Sequence, residues 1–206
     1  MPPPKFFYFD LGKVLLRFDV DVMCRQIAGV SGIAPGLVYR VLMEHPLQKD
    51  YECGRITSRQ FHEAFCRETG TQSPFEALLL AGSDIFEVNE SMVPVVAHLN
   101  RAGYRMGILS NTCDSHWEHC LRRFRMLDEL FEVHALSYKL RTSKPDKEIF
   151  DAAAQLAGVA PHEIFFTDDL AANVAGARAT GFDAVQYTST PQLVADLRAR
   201  GVQFNY

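Results

Sequence analysis

The chain has 206 residues, of which 48% are apolar and 22% charged, a balance that excludes disordered and fibrous chains and allows a substantial core without an oligomer. Its net charge of −4, with basic residues scattered apart from Arg122, Arg123 and Arg125, excludes the footprint of non-specific nucleic-acid binding. No window approaches the roughly 18 uninterrupted apolar residues of a membrane helix, and Cys24, Cys53, Cys66, Cys113 and Cys120 show neither a CxxC pair nor a secretory spacing, so the expectation is a soluble, cytoplasmic protein with reduced thiols and no nucleic-acid or membrane partner.

Only four apolar residues, Phe6 to Phe9, precede Asp10-Leu11-Gly12, too few for a signal-peptide core. A short apolar run that ends on a polar residue is the pattern of a buried strand whose carboxyl end delivers that residue. From Asp19 to Met92 the apolar spacing is helical, over Val20 to Ala28, Pro35 to Met43, Ser58 to Glu68 and Pro74 to Leu80. Ser58 is the candidate cap of the third, Phe61 and Phe65 share one of its faces, and Gln48 to Glu52, between two helices, reads equally as a substrate contact or as an ordinary connecting loop.

A second strand, Tyr104 to Leu109, runs into Ser110-Asn111-Thr112 and a helix over Asp114 to Phe124. Strand Glu132 to Leu136 precedes a helix over Asp146 to Ala157 closed by Gly158. Strand Ile164 to Thr167 runs into Asp168-Asp169 and a helix over Asn173 to Thr180 closed by Gly181. Strand Asp183 to Tyr187 leads to a helix over Pro191 to Arg200, with Thr190 as its cap and Gly201 beyond. Strands alternating with helices predict an α/β, Rossmann-like parallel sheet covered on both faces, with ligands beyond the carboxyl ends of the strands. The core comprises 1–18 and 93–206, interrupted by an inserted α-helical unit at 19–92.

Each polar group has an ordinary structural reading taken alone. Ser110-Asn111-Thr112 suits a turn and helix cap, a lone Lys144-Pro145 is usually a solvated lysine, and Asp10 or Asp168 can cap the turn or helix next to it. Their convergence on one sheet edge is what suggests chemistry. Phosphoryl transfer needs a nucleophile, a cation and donors for the non-bridging oxygens, because positioning and charge neutralisation do most of the work. Asp10 and Asp169 offer the oxygen ligands that magnesium prefers. Lys144 can bridge nucleophile and phosphate, while the Ser110 hydroxyl and the Asn111 amide can hold phosphate oxygens. His116 and His119 follow at helical spacing beside Trp117, without a third metal partner in sequence.

In order, FYFDLGKVL (Phe7 to Leu15), ILSNT (Ile108 to Thr112), SKPDKEIF (Ser143 to Phe150) and FFTDDLAANVAGARATG (Phe165 to Gly181) resemble the four motifs of the haloacid dehalogenase (HAD) superfamily, and the inserted helices resemble its C1-type cap. The resemblance implies an aspartyl-phosphate intermediate on Asp10, Mg2+ held by Asp10, the Gly12 carbonyl and Asp169, and support from Asp168 and Asn173 behind the metal. It implies a phosphatase acting on a small phosphorylated metabolite, with sugar phosphates among the candidates. One position departs from the family pattern. Gly12 stands where most of its phosphatases carry a second aspartate that protonates the leaving group, and losing a general acid typically costs roughly 10²–10⁴ in rate. The DLGxV form resembles that found around the bacterial α-D-glucose-1-phosphate phosphatases of the family. Two other readings remain open: a metal-independent 2-haloacid dehalogenase, and a non-catalytic phosphate-binding or regulatory module.

Overall fold

The structure, a computed structural model, describes residues 3–203 and 205. Strand β1 (Phe6–Phe9) leads through a tight turn to β2 (Leu16–Arg17). The inserted helices come next: α1 (Val20–Ser31), α2 (Pro35–Tyr39) with a π-helical turn at Arg40–Glu44, α3 (Leu47–Glu52), α4 (Ser58–Thr69) and α5 (Phe75–Ser83). The chain returns through β3 (Glu87–Val88), which pairs antiparallel with β2. Beyond it lie α6 (Val93–Arg101), β4 (Arg105–Ser110), α7 (Asp114–Arg123), α8 (Met126–Glu129), β5 (Val133–Leu136) and α9 (Ser137–Leu140). The last part holds α10 (Lys147–Ala157), β6 (Ile164–Asp168), α11 (Ala171–Ala179), β7 (Asp183–Gln186) and α12 (Thr190–Ala199).

The expected α/β core is present as a five-stranded parallel sheet of order β5-β4-β1-β6-β7. β1 lies at its centre, and all four of its aromatic side chains are buried, as a strand covered on both faces requires. Successive side chains alternate between faces: Phe6 and Tyr8 join Phe150 and Phe166 on one, and Phe7 and Phe9 join Trp117 and Phe131 on the other. Gly107 makes room for the first pair, because a Cβ there would stand 2.6 Å from the Tyr8 ring and 2.9 Å from the Phe6 ring. The register aligns Phe9 with Ile108 and Thr167, so the residues that continue β1, β4 and β6 emerge at one edge.

The inserted helices share the second of these clusters. Phe61, Phe65 and Leu78 belong to the same buried group as Phe9 and Leu11, so no apolar gap separates the insertion from the sheet. Asn89, just after β3, fastens the turn beyond β1: its amide donates to the Leu15 carbonyl at 3.0 Å and its side chain to the Val14 carbonyl at 2.8 Å.

Several local expectations need correction. Helix α4 is capped by Thr57, not Ser58, with a reciprocal capping box to Gln60. Ser189, not Thr190, caps α12, its hydroxyl accepting from the Gln192 amide. Gln48 to Glu52 is helical, and the run expected to end at Met43 changes to π-helical winding at Arg40. Strands β2 and β3 and helices α6, α8 and α9 were not anticipated. Most are only two to four residues long, too short for periodicity to register. No single helix among the described residues is long and apolar enough to cross a membrane.

Candidate active site

Asp10 is the first residue beyond β1. Its amide continues the β1–β6 pairing by donating to the Thr167 carbonyl at 3.0 Å, and its Oδ1 accepts from the Leu11 amide at 2.7 Å. Lys144, on the loop before α10, is buried and reaches across the sheet edge. Its Nζ lies 2.9 Å from Asp10 Oδ1 and 2.5 Å from Asp168 Oδ2, and donates to the Leu109 carbonyl at 2.9 Å. A buried ammonium needs such partners, since desolvation without them costs several kcal/mol.

The Asn111 side chain holds this lysine in place. It accepts from the Lys144 amide at 2.8 Å and donates to the Lys144 carbonyl at 2.9 Å. Sequence reasoning considered only the main-chain amide of Asn111, and nothing local points to a clamp across 33 residues. Ser137 was missed altogether. Its hydroxyl accepts from the Thr112 amide at 2.9 Å and donates to the Glu52 carbonyl at 2.6 Å, tying the loop after β4 to the end of α3.

At the end of β6, Asp168 is fully buried. Its carboxylate accepts from Asn173 Nδ2 at 3.0 Å through both oxygens, from the Leu170 amide at 2.8 Å and from Lys144. Asp169 is less buried: its carbonyl accepts from Gln186 Nε2 at 2.8 Å, while its carboxylate faces Lys13 Nζ at 3.9 Å. The structure thus brings Asp10, Lys144, Asp168, Asp169 and Asn173 together, with Ser110 beside Asp10. His116 packs edge-on against Phe86 at 5.4 Å, and burial lowers its pKa to about 4, so its ring is neutral at pH 7. His119 Nε2 lies 3.5 Å from Asp84 Oδ1, and burial lowers the pKa of its ring.

One oxygen from each of Asp10, Asp168 and Asp169 lies within 4.8 Å of the others. Crowding of this kind opposes ionisation. Burial pushes the Asp10 carboxyl up to about 7, Lys144 pulls it down, and the Asp168 charge adds to the rise. Asp169 is raised by burial and then by Asp168, against Lys13 and Lys144. For Lys144, burial works against the ammonium, but Asp10 and Asp168 outweigh it and its pKa rises. Three hard oxygen donors held together at this cost suit a divalent cation such as magnesium. Because protein donors already surround the Asp168 oxygens, Asp10 and Asp169 are the carboxylates with capacity left for a metal.

The model of the haloacid dehalogenase-like hydrolases matches residues 54–181. That span contains Ser110, Asn111, Lys144, Asp168 and Asp169, and more than half of the chain. This protein belongs to that family. Phosphatase MT3486 of Mycobacterium tuberculosis is 30% identical over 112 residues, which make up 52% of each chain. A D-ribitol-5-phosphate phosphatase of Bacteroides thetaiotaomicron is 25% identical over 197 residues, covering 92% of this chain and 93% of its own. An (S)-2-haloacid dehalogenase of Burkholderia cepacia is 33% identical, but over only 88 residues and 38% of its length. Among solved structures, a HAD family enzyme of Bacteroides thetaiotaomicron in complex with magnesium and inorganic phosphate superposes with a TM-score of 0.79 at 25% identity, over 89% of this chain and 93% of its own. The HAD-like hydrolase described here therefore has phosphatases among its relatives.

Proposed function

We propose that this hydrolase cleaves a small phosphomonoester, with sugar and sugar-alcohol phosphates as the leading class, through a covalent intermediate on Asp10. The observation that carries the proposal is the buried Lys144 ammonium held between Asp10 and Asp168, next to a third carboxylate, Asp169. Magnesium held by Asp10, the Gly12 carbonyl and Asp169 would neutralise charge on the phosphoryl group. An Asp10 oxygen attacks phosphorus, the bond to the departing oxygen breaks, and water then hydrolyses the acyl phosphate to return Asp10 and inorganic phosphate. Lys144 keeps Asp10 oriented and offsets repulsion between carboxylate and phosphate. The Ser110 hydroxyl and the Asn111 amide hold non-bridging oxygens, and Asp168 and Asn173 hold Lys144 and the metal-facing loop in register.

In this reading residues 19–92 act as a cap over a core of 1–18 and 93–206, and the substrate is a small phosphorylated metabolite enclosed between them. A metal-free dehalogenase fits the site less well, because a third carboxylate repels an anionic halo-acid unless a cation is bound. A non-catalytic role leaves the costly burial of Asp10 and Lys144 without a purpose. Asp10→Asn keeps the shape and removes the nucleophilic charge, so it should lower phosphate release by on the order of 10³-fold or more with the fold intact. A magnesium-supplemented screen of phosphorylated metabolites, with a 2-haloacid included, identifies the substrate class. Retained phosphatase activity in Asp10→Asn, or halide release in place of phosphate, would overturn the proposal.

A further inference from the structure

Lys13 is one of two non-glycine residues among those described with a positive φ, at 58°. This left-handed conformation crowds the Cβ of an L-residue and is ordinarily given to glycine. The turn enforces it. The Lys13 amide donates to the Leu16 carbonyl at 2.6 Å, and the Leu15 and Leu16 amides both donate to the Leu11 carbonyl, at 3.1 and 2.8 Å. Asn89 closes the same loop from outside through Val14. A glycine would fit this backbone with less strain, so the lysine side chain itself needs a reason.

Its position supplies one. The side chain is 58% exposed, and its ammonium stands 3.9 Å from Asp169 Oδ2 and 5.8 Å from the centre of the Phe18 ring. Lys144 meets Asp10 and Asp168 from beneath, where it is buried, whereas Lys13 stands at the open side of the same cluster. Counted as ionised, three carboxylates face these two ammonium groups. A divalent cation then leaves the site one charge positive with Lys13 present and neutral without it. A phosphoryl dianion is drawn into the first arrangement and gains no net attraction from the second.

We propose that Lys13 is a substrate-contacting residue whose ammonium, aimed by the left-handed backbone, pairs with a non-bridging oxygen of the phosphoryl group at the open side of the carboxylate cluster. The inference rests on the phosphohydrolase reading and adds to it a second, solvent-side cation. Charge-assisted hydrogen bonds of this kind are about twice as strong as neutral ones. The contact should strengthen binding of inorganic phosphate itself, not only turnover of an ester.

The test uses the full chain with Lys13→Gln, Lys13→Arg and Lys13→Gly, and two measurements besides activity. The first is calorimetric binding of inorganic phosphate in the presence of magnesium, and the second is the melting temperature of the metal-free protein. Lys13→Gln and Lys13→Gly should weaken phosphate binding about tenfold or more, while Lys13→Arg stays within about threefold. Lys13→Gly should melt no lower than the natural protein, because it relieves the left-handed strain. Unchanged phosphate affinity in Lys13→Gln, or a clear drop in the melting temperature of Lys13→Gly, overturns the assignment. Halide release from a 2-haloacid in place of phosphate release from any ester sinks the phosphohydrolase reading instead, so the two failures are distinguishable.

Discussion

Position 12 joins the chemistry to the packing around it. A Cβ on Gly12 would lie 2.8 Å from Cε1 of Phe18, whose ring packs against Phe86 at 5.7 Å. The space that an acid at this position would need is therefore taken by an aromatic edge. In the proposed mechanism, with no acid there, the departing oxygen would leave with little proton assistance. Leaving-group acidity should then matter strongly, with aryl and acyl phosphates ahead of anomeric sugar phosphates and these ahead of simple alkyl phosphates. The measurement is the slope of log kcat/KM against leaving-group pKa under conditions where chemistry limits the rate. A nearly flat slope would show that another group already donates the proton. Gly12→Asp alone should lose activity through its clash with Phe18, whereas Gly12→Asp combined with Phe18→Leu should flatten the slope.

The start of α4 separates two roles that the sequence had merged. The Thr57 hydroxyl accepts from the Gln60 amide at 3.3 Å while Gln60 Oε1 accepts from the Thr57 amide at 2.9 Å, so the helix end is satisfied one residue earlier than expected. Ser58 is thereby freed. Its hydroxyl donates to Asp114 Oδ2 at 2.6 Å, and the Tyr51 hydroxyl hydrogen-bonds to the same carboxylate. Tyr51 and Ser58 belong to the inserted helices, whereas Asp114 opens α7 directly after the loop that carries Ser110 and Asn111. Thr57→Ala should cost about 1 kcal/mol of stability, as capping losses do, and leave KM unchanged. If the inserted helices act as the proposed cap, Ser58→Ala and Tyr51→Phe should instead raise KM by loosening them, with a smaller loss of stability. Melting curves and steady-state kinetics on the three variants decide the matter, and the reverse pattern would remove the distinction.

Across the whole molecule, the insertion and the sheet share one apolar cluster, so deleting residues 19–92 should leave an aggregating remnant rather than a working core. Metal binding is linked to protonation on the same scale. In the metal-free protein the Asp10 pKa is raised to about 7, so the folded state holds that proton more tightly than the unfolded one. The stability it contributes is present below about pH 4, where both states are protonated, and is lost as the pH rises towards 7. Magnesium requires the ionised carboxylate. The gain in melting temperature on adding magnesium should therefore be larger at pH 8 than at pH 6, and apparent affinity should fall by roughly tenfold per pH unit below 7. Calorimetric scans with and without magnesium at the two pH values test this, and an equal gain at both would show that Asp10 does not bind the ion.

Much of the fold, and which residues gather at the candidate site, were legible in the sequence because they arise from local pattern. Four successive aromatic residues ending on Asp10 form a buried strand, and parallel strands deliver their terminal residues to one edge, so Asp10, Ser110 and Asp168 had to converge once the alternation of strands and helices was read. Lys144 and Asp169 follow from the motif order that contains them. Other features depend on distances between residues far apart in the chain. The Asn111 clamp on Lys144, the Ser137 bridge from Thr112 to Glu52, the Asn89 stitch behind the Asp10 turn and the Phe18 ring over Gly12 are contacts set by how finished elements pack. Periodicity records which face of an element is apolar; it does not record which side chain from another element meets a polar one. The left-handed backbone at Lys13 was equally hidden, because lysine gives no signal for a conformation that only the surrounding hydrogen bonds impose.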